Sequence, residues 1–273
     1  MMNKKQSRTG SVQEVKKPFL TGSLTDENTV KNSLAFFGFM IIIFFVSLIT
    51  CVSATFGNTI LRILINTAVA AVVIMLFYNN GAGKGADAVA HGEILYQKKE
   101  RGQTFSESEE KICFHPMKGY LIGVLGTLPF LIAAVILAVK TAPQVTGAGS
   151  LPSWMQAYTR RSDIGDALIS YTQPEGMALM DYLRAAVRIC IIPFVNIIGN
   201  SDKYGMVLLE RLSPLILLLP AAAYGTGYIR GKKIRSRIHT AINENNRKRI
   251  RRDRKKKAAR NTGSRSREPE QLN

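Results

Sequence analysis

The sequence predicts an all-α, polytopic membrane protein: a bundle of four transmembrane helices, one interfacial or re-entrant amphipathic helix, and a basic cytoplasmic tail. Three observations predict it. Apolar residues make up 46% of the 273-residue chain and are clumped into runs nearly free of charge. Both ends are basic, and residues 230–273 carry 17 Lys/Arg against 4 Asp/Glu within a total net charge of +18. A fifth apolar segment carries two arginines one helical turn apart, which sets it apart from the other four.

Residues 1–32 are polar and contain 6 Lys/Arg. A signal peptide would place its apolar core nearer the start, so the first apolar run is expected to stay as an anchor. Leu48-Ile49-Thr50-Cys51 loosely resembles a lipoprotein cleavage box, but Thr before the Cys and its depth in the chain argue for a plain intramembrane cysteine. The spans are read as 33–53, 59–78, 119–139 and 206–229, which are 21, 20, 21 and 24 residues long. About 20 apolar residues match a hydrocarbon core roughly 30 Å thick. A soluble helix of this length would show a polar face, and residues 33–53 show none, which argues against a buried core helix.

Residues 54–58 are short enough to make the first two spans antiparallel neighbours. The loop 79–118 is neutral. Asn79-Asn80-Gly81-Ala82-Gly83 is expected to break the second span, with a short helix over 86–99 and a second helix starting at the Ser106–Glu109 capping box and running toward Lys118. Residues 140–205 are read as an outer loop with an interfacial helix. Within it Trp154, Tyr158, Tyr171 and Tyr182 suit an aromatic belt.

Topology follows from charge. With the N-terminus inside and four crossings, the inner side holds 6, 6 and 17 Lys/Arg and the outer side 6. Five crossings from inside reverse this bias, and five from outside dilute it. The positive-inside rule therefore selects four. It places both termini in the cytoplasm of a bacterial-type cytoplasmic membrane. The segment 182–200 becomes the helix that does not cross, since an Arg at mid-membrane costs about 2.5–3.5 kcal/mol. Arg184 and Arg188 are then expected to face headgroups, with the isoleucines dipping into acyl chains.

Charges inside spans are the first site candidates. Arg62 and Glu210 fall at similar depth, so an Arg62–Glu210 ion pair is expected, with Asn66 one turn deeper. The plainer reading has Arg62 snorkelling to the outer headgroups. Small-residue spacings at Gly119/Gly123, Ala221/Gly225 and Ala223/Gly227 allow close helix approach. Packing within one bundle is the simpler use and homo-oligomerisation the sharper one. Pro129, Pro214 and Pro220 are expected to kink their helices.

Enzymatic chemistry finds little footing. Gly81-Ala82-Gly83-Lys84-Gly85 lacks the spacing and following Ser/Thr of a phosphate loop and reads as a flexible exit turn. His91, Glu93, Cys113 and His115 match no common zinc spacing. His239 stands alone in the tail. Cys51, Cys113 and Cys190 form no CxxC and read as reduced thiols. No metal, cofactor or catalytic set is expected.

The tail is the second site candidate. Ile234, Ile238 and Ile242 recur every four residues and carry the last span onward as a helix. Beyond it lie Arg247, Lys248, Arg249, Arg251, Arg252, Arg254, Lys255, Lys256, Lys257 and Arg260. Three partners suit this segment: anionic lipid at about 1 kcal/mol per basic residue near the surface, ribosomal RNA through phosphate neutralisation, or an acidic protein. The tail has no aromatics, so base stacking is not expected. The order Arg62, loop 79–118 and basic residues 247–260 is similar, at the level of topology, to membrane insertases of the YidC type. That resemblance implies a ribosome-contacting tail. The extra span before Arg62 and its position near the outer end depart from that architecture. The expected function is a non-enzymatic membrane accessory or scaffold. The alternative is a transporter or channel subunit built on Arg62, Asn66, Glu210 and Arg211.

Overall fold

The structure is a computed structural model, and it describes residues 17–53, 58–141, 155, 157–165, 168, 179–199 and 202–265. In chain order its helices are α1 (Asn28–Ser53), α2 (Thr59–Glu100), α3 (Glu107–Ile112), α4 (Lys118–Lys140), α5 (Leu179–Cys190), α6 (Ile192–Ile198) and α7 (Lys203–Arg265), with one 3-10 turn at Ala157–Arg160. The described residues are helical or irregular, and their only β pairing is an isolated bridge between Thr21 and Phe114. Four helices, α1, α2, α4 and α7, are long and apolar enough to cross a membrane. The chain is therefore a multi-pass, all-helical membrane protein.

Asn58 starts α2. Its side chain accepts a hydrogen bond from the Ile60 amide at 3.0 Å, satisfying one of the otherwise orphaned N–H groups of the first turn. Asn58→Ala is expected to lower stability by about 1 kcal/mol, read as a small downward shift of the unfolding midpoint in detergent micelles.

The expected break after the second span does not occur. α2 continues through Asn79, Asn80 and the glycines to Glu100. Gly81 and Gly85 face α7 and are buried there. A Cβ at Gly81 would strike the Tyr224 carbonyl, and one at Gly85 the Tyr228 carbonyl. Gly227 and Gly231 return the contact from α7, against Tyr78 and Gly85. Glycine costs a helix about 1 kcal/mol relative to Ala, but here its missing side chain lets two backbones touch. What reads as a flexible turn is the closest helix–helix contact of the bundle's basic end.

The other small-residue spacings are also used within the chain. A Cβ at Gly123 would sit 3.0 Å from Ala221 Cα, one at Gly119 would meet the Tyr228 side chain, and one at Gly126 would lie 2.7 Å from the Ser33 carbonyl. So α4 lies against α7 on one side and α1 on the other. The centre is filled by Phe36, Met40, Phe77, Leu137, Leu217 and Tyr224. Phe36 meets Tyr224 edge-on at 5.0 Å between ring centroids. Pro129, Pro214 and Pro220 lie inside continuous α4 and α7.

Beyond Glu100 the predicted hairpin is shorter than expected. Ser106 caps α3, which spans only Glu107–Ile112, and Lys98 reaches back to Glu109 at 3.8 Å. The Lys111 ammonium beside Glu107 holds that carboxyl below its usual range. Residues 17–26 form an irregular strap over this end. The Leu20 amide donates to the Gly92 carbonyl and the Gly22 amide to the Phe114 carbonyl. Lys118, buried at the start of α4, ties the strap down: its Nζ lies 2.7 Å from Asp26 Oδ2 and 3.0 Å from the Lys111 carbonyl. The fully buried Cys113 beneath it has its thiol pushed up in pKa by desolvation, with Glu110 adding to the shift.

Candidate functional site

The segment 182–200 is two helices, not one. α5 and α6 meet at Ile191, where Pro193 restarts the helical path in the first turn of α6. α5 has 12 residues and α6 has 7, against the roughly 20 that a crossing needs. Gly199 ends α6 at φ 84°, a backbone region that side chains with a Cβ rarely adopt.

The two arginines of α5 do not face outward. Both turn onto Glu210 of α7, whose side chain is 2% exposed. Arg188 donates to Glu210 Oε1 through Nε at 2.9 Å and Nη2 at 2.5 Å. Arg184 Nε lies 3.1 Å from Oε1 and 3.3 Å from Oε2, and Thr141 Oγ1 donates to Oε2 at 2.8 Å. Arg184 also reaches Asp181 at 3.5 Å. One buried carboxylate thus carries two guanidiniums and a hydroxyl. The reason is the helical spacing of Arg184 and Arg188, one face apart by one turn, which aims both at the same point.

The expected Arg62–Glu210 pair is therefore not formed. Arg62 packs at the C-terminal end of α6, with its Nη2 close over Gly199. Among the described residues its buried Nε has no hydrogen-bond partner. Asn66, one turn deeper as expected, is fully buried. It donates to the Arg62 carbonyl at 2.8 Å and accepts from Asn196 Nδ2 at 3.2 Å. Asn196 also donates to the Cys51 carbonyl at 3.2 Å, so one α6 side chain joins α1 and α2. Arg211 is exposed. Trp154 and Tyr171 lie outside the described residues, Tyr158 and Tyr182 are exposed, and the side chain of Arg260 is not among those described.

A second polar group, which the sequence reading missed, sits at the basic end. Glu93 of α2 is 5% exposed. Arg235 Nε donates to its Oε2 at 2.9 Å, and His239 Nε2 lies 2.8 and 2.9 Å from its two oxygens. His239 is therefore buried and paired rather than isolated. Arg235 and His239 are four residues apart, a spacing that puts both on one face of α7. Glu93 is thus drawn away from His91, Cys113 and His115, and no group of three metal-ligating side chains forms among the described residues.

α2 ends at Glu100, while α7 continues to Arg265. Arg247 through Lys257 are exposed at every position. Against this geometry, comparison with protein-family models, with curated proteins and with solved structures finds no match.

Proposed function

We propose that the protein is a non-enzymatic scaffold of a bacterial-type cytoplasmic membrane that presents a rigid polycationic helix to a soluble polyanion on the cytoplasmic side, RNA of the ribosome being the preferred partner. The observation that carries this reading is the single uninterrupted α7, which links the membrane bundle to the basic segment without a hinge. At 1.5 Å per residue, Arg247 and Lys257 stand about 27 and 42 Å along the helix from Ile229. The Debye length is about 8 Å at physiological ionic strength. A helix continuing the bundle axis therefore carries its charges past the field of the lipid surface, toward a partner in solution. α2 supports that direction by packing on α7 as far as the Glu93 group. In this reading α5 and α6 lie at the outer interface, both termini are cytoplasmic, and α5 anchors on the bundle through Glu210.

The polar residues of the bundle support a structural role over transport. Glu210 is saturated by its own neighbours, and Asn66 is held by the Arg62 carbonyl and by Asn196 of α6.

The test is purification of the full-length protein with and without residues 247–273. The intact protein is expected to carry ribosomal RNA that is released steeply as salt rises, since each neutralised phosphate adds about 0.7–0.9 to the log–log slope. The truncated protein is expected to carry none. If truncation leaves RNA bound and changes only the retained lipid, the tail is a membrane anchor and the proposal fails.

A further inference from the structure

We propose that the cavity between the strap and the basic end of the α2–α7 pair is a phosphate-binding site, taking the headgroup phosphate of an anionic phospholipid or the phosphate of a soluble ester. The cavity measures about 390 Å³ and is lined by Lys17 and Phe19 of the strap, Glu93 of α2, and Lys232, Lys233 and Arg235 of α7. It uses none of the residues 247–260 assigned to the proposed RNA contact, so it stands apart from that contact.

Charge is the first argument. Four cations share this cavity with one carboxylate, and Glu93 is already taken by Arg235 and His239. Among the described residues, Lys17, Lys232 and Lys233 have no carboxylate within ion-pair distance. Lys232 is instead held over aromatic rings, 4.5 Å from the Phe114 centroid and 5.5 Å from that of Phe19. Rings are a weak substitute for an anion, and they fix where this ammonium stands. Three like charges converging on one cavity repel one another, and a phosphate removes that repulsion while accepting charge-assisted hydrogen bonds.

Construction is the second argument. The wall carrying Lys17 and Phe19 is seated by the backbone hydrogen bond from Leu20 to Gly92, where a Cβ would come 2.6 Å from the Leu20 carbonyl oxygen. It is anchored further along by the buried Lys118–Asp26 pair. The opposite wall belongs to α7. The site therefore needs both elements in register, which the glycine contact of α2 and α7 supplies.

Position is the third. Lys232 and Lys233 follow the last apolar residue of the span, Ile229, by about 4.5–6 Å along the helix. That is headgroup depth, where basic pockets between helices engage lipid phosphates. A volume of this size holds a phosphate with its glycerol, not merely an ion.

The experiment is native mass spectrometry of the full-length protein, delipidated in mild detergent, with three probes: phosphatidylglycerol, phosphatidylcholine and glycerol 3-phosphate. Wild type is expected to retain one phosphatidylglycerol in preference to phosphatidylcholine. Lys17→Gln with Lys233→Gln is expected to weaken it at least tenfold, about one charge-assisted contact. Both lysines are exposed, so melting should not change. Lys17→Arg with Lys233→Arg should keep binding, and Arg251→Gln with Arg252→Gln in the tail should leave it unaltered. Glycerol 3-phosphate binding with the same lysine dependence makes the ligand a soluble ester; binding confined to phosphatidylglycerol makes it a lipid. Retention undiminished by Lys17→Gln/Lys233→Gln, or abolished by the tail pair, overturns the site.

Discussion

Glu210→Gln is expected to destabilise the bundle by about 3 kcal/mol, the lower part of the range for breaking a buried ion pair. The carboxylate is 2% exposed, and its removal leaves two arginines facing each other. Arg184 is 12% exposed and keeps only the 3.5 Å contact with Asp181, so its charge is nearly stranded. Arg188 is 31% exposed and recovers part of its hydration, which is why the upper part of the range is not expected. Gln can still accept from Thr141, so the loss reports charge and not shape. Arg188→Gln alone should cost less, because Arg184 still neutralises Glu210. The double variant Glu210→Gln/Arg188→Gln should then be more stable than the sum of the singles by about 1 kcal/mol or more. Arg62 provides the contrast: Arg62→Gln combined with Glu210→Gln should be additive within about 0.5 kcal/mol. Equilibrium unfolding in mixed micelles, with Arg62→Gln alone included, measures all five variants. Strong coupling of Arg62 to Glu210, with none to Arg188, would restore the pairing that depth alone suggests.

The error about Glu210 has a definite cause. Span length is a one-dimensional signal, so four apolar runs in the sequence become four spanning helices in the structure. The depth of a charge is one-dimensional too, and it placed Arg62 and Glu210 at similar height. Which way each side chain points around its helix is a second coordinate, and single-span hydropathy does not carry it. Arg184 and Arg188 did carry it, through their one-turn spacing. Sequence alone sends them to headgroups, because an arginine without a known partner is cheapest in water. His239 looks isolated in the sequence because its partner lies 146 residues away on another helix. The strap at residues 17–26 has no periodicity, so nothing local announces that it seats on Gly92 and Phe114. The glycines show the limit most sharply. The same residue type breaks a helix facing water and builds one facing another backbone, and only the partner decides.

That difference predicts opposite signs within five residues. In Gly81-Ala82-Gly83-Lys84-Gly85, Gly83 faces open space, with nothing within 4 Å of an added Cβ. Gly83→Ala should therefore stabilise the protein by about 0.5–1 kcal/mol through helix propensity alone. Gly81 and Gly85 each lie against a carbonyl of α7, which has no rotamer to move aside. Alanine there gains the same propensity but forces two long helices apart, and overpacking of this kind costs about 1–3 kcal/mol. A net loss of about 1–2 kcal/mol is expected for each, and Gly85→Leu should lose 3 kcal/mol or more. Separation at Gly85 also pulls Gly231 away, since their backbones are in direct contact. Arg235 and His239 lie one and two turns further on, so Glu93 would lose its partners as well. Unfolding midpoints of the three alanine variants, measured side by side in one detergent, give the signs. Three stabilised alanine variants would mean that the run is a solvent-facing stretch after all, and that α2 and α7 do not touch there.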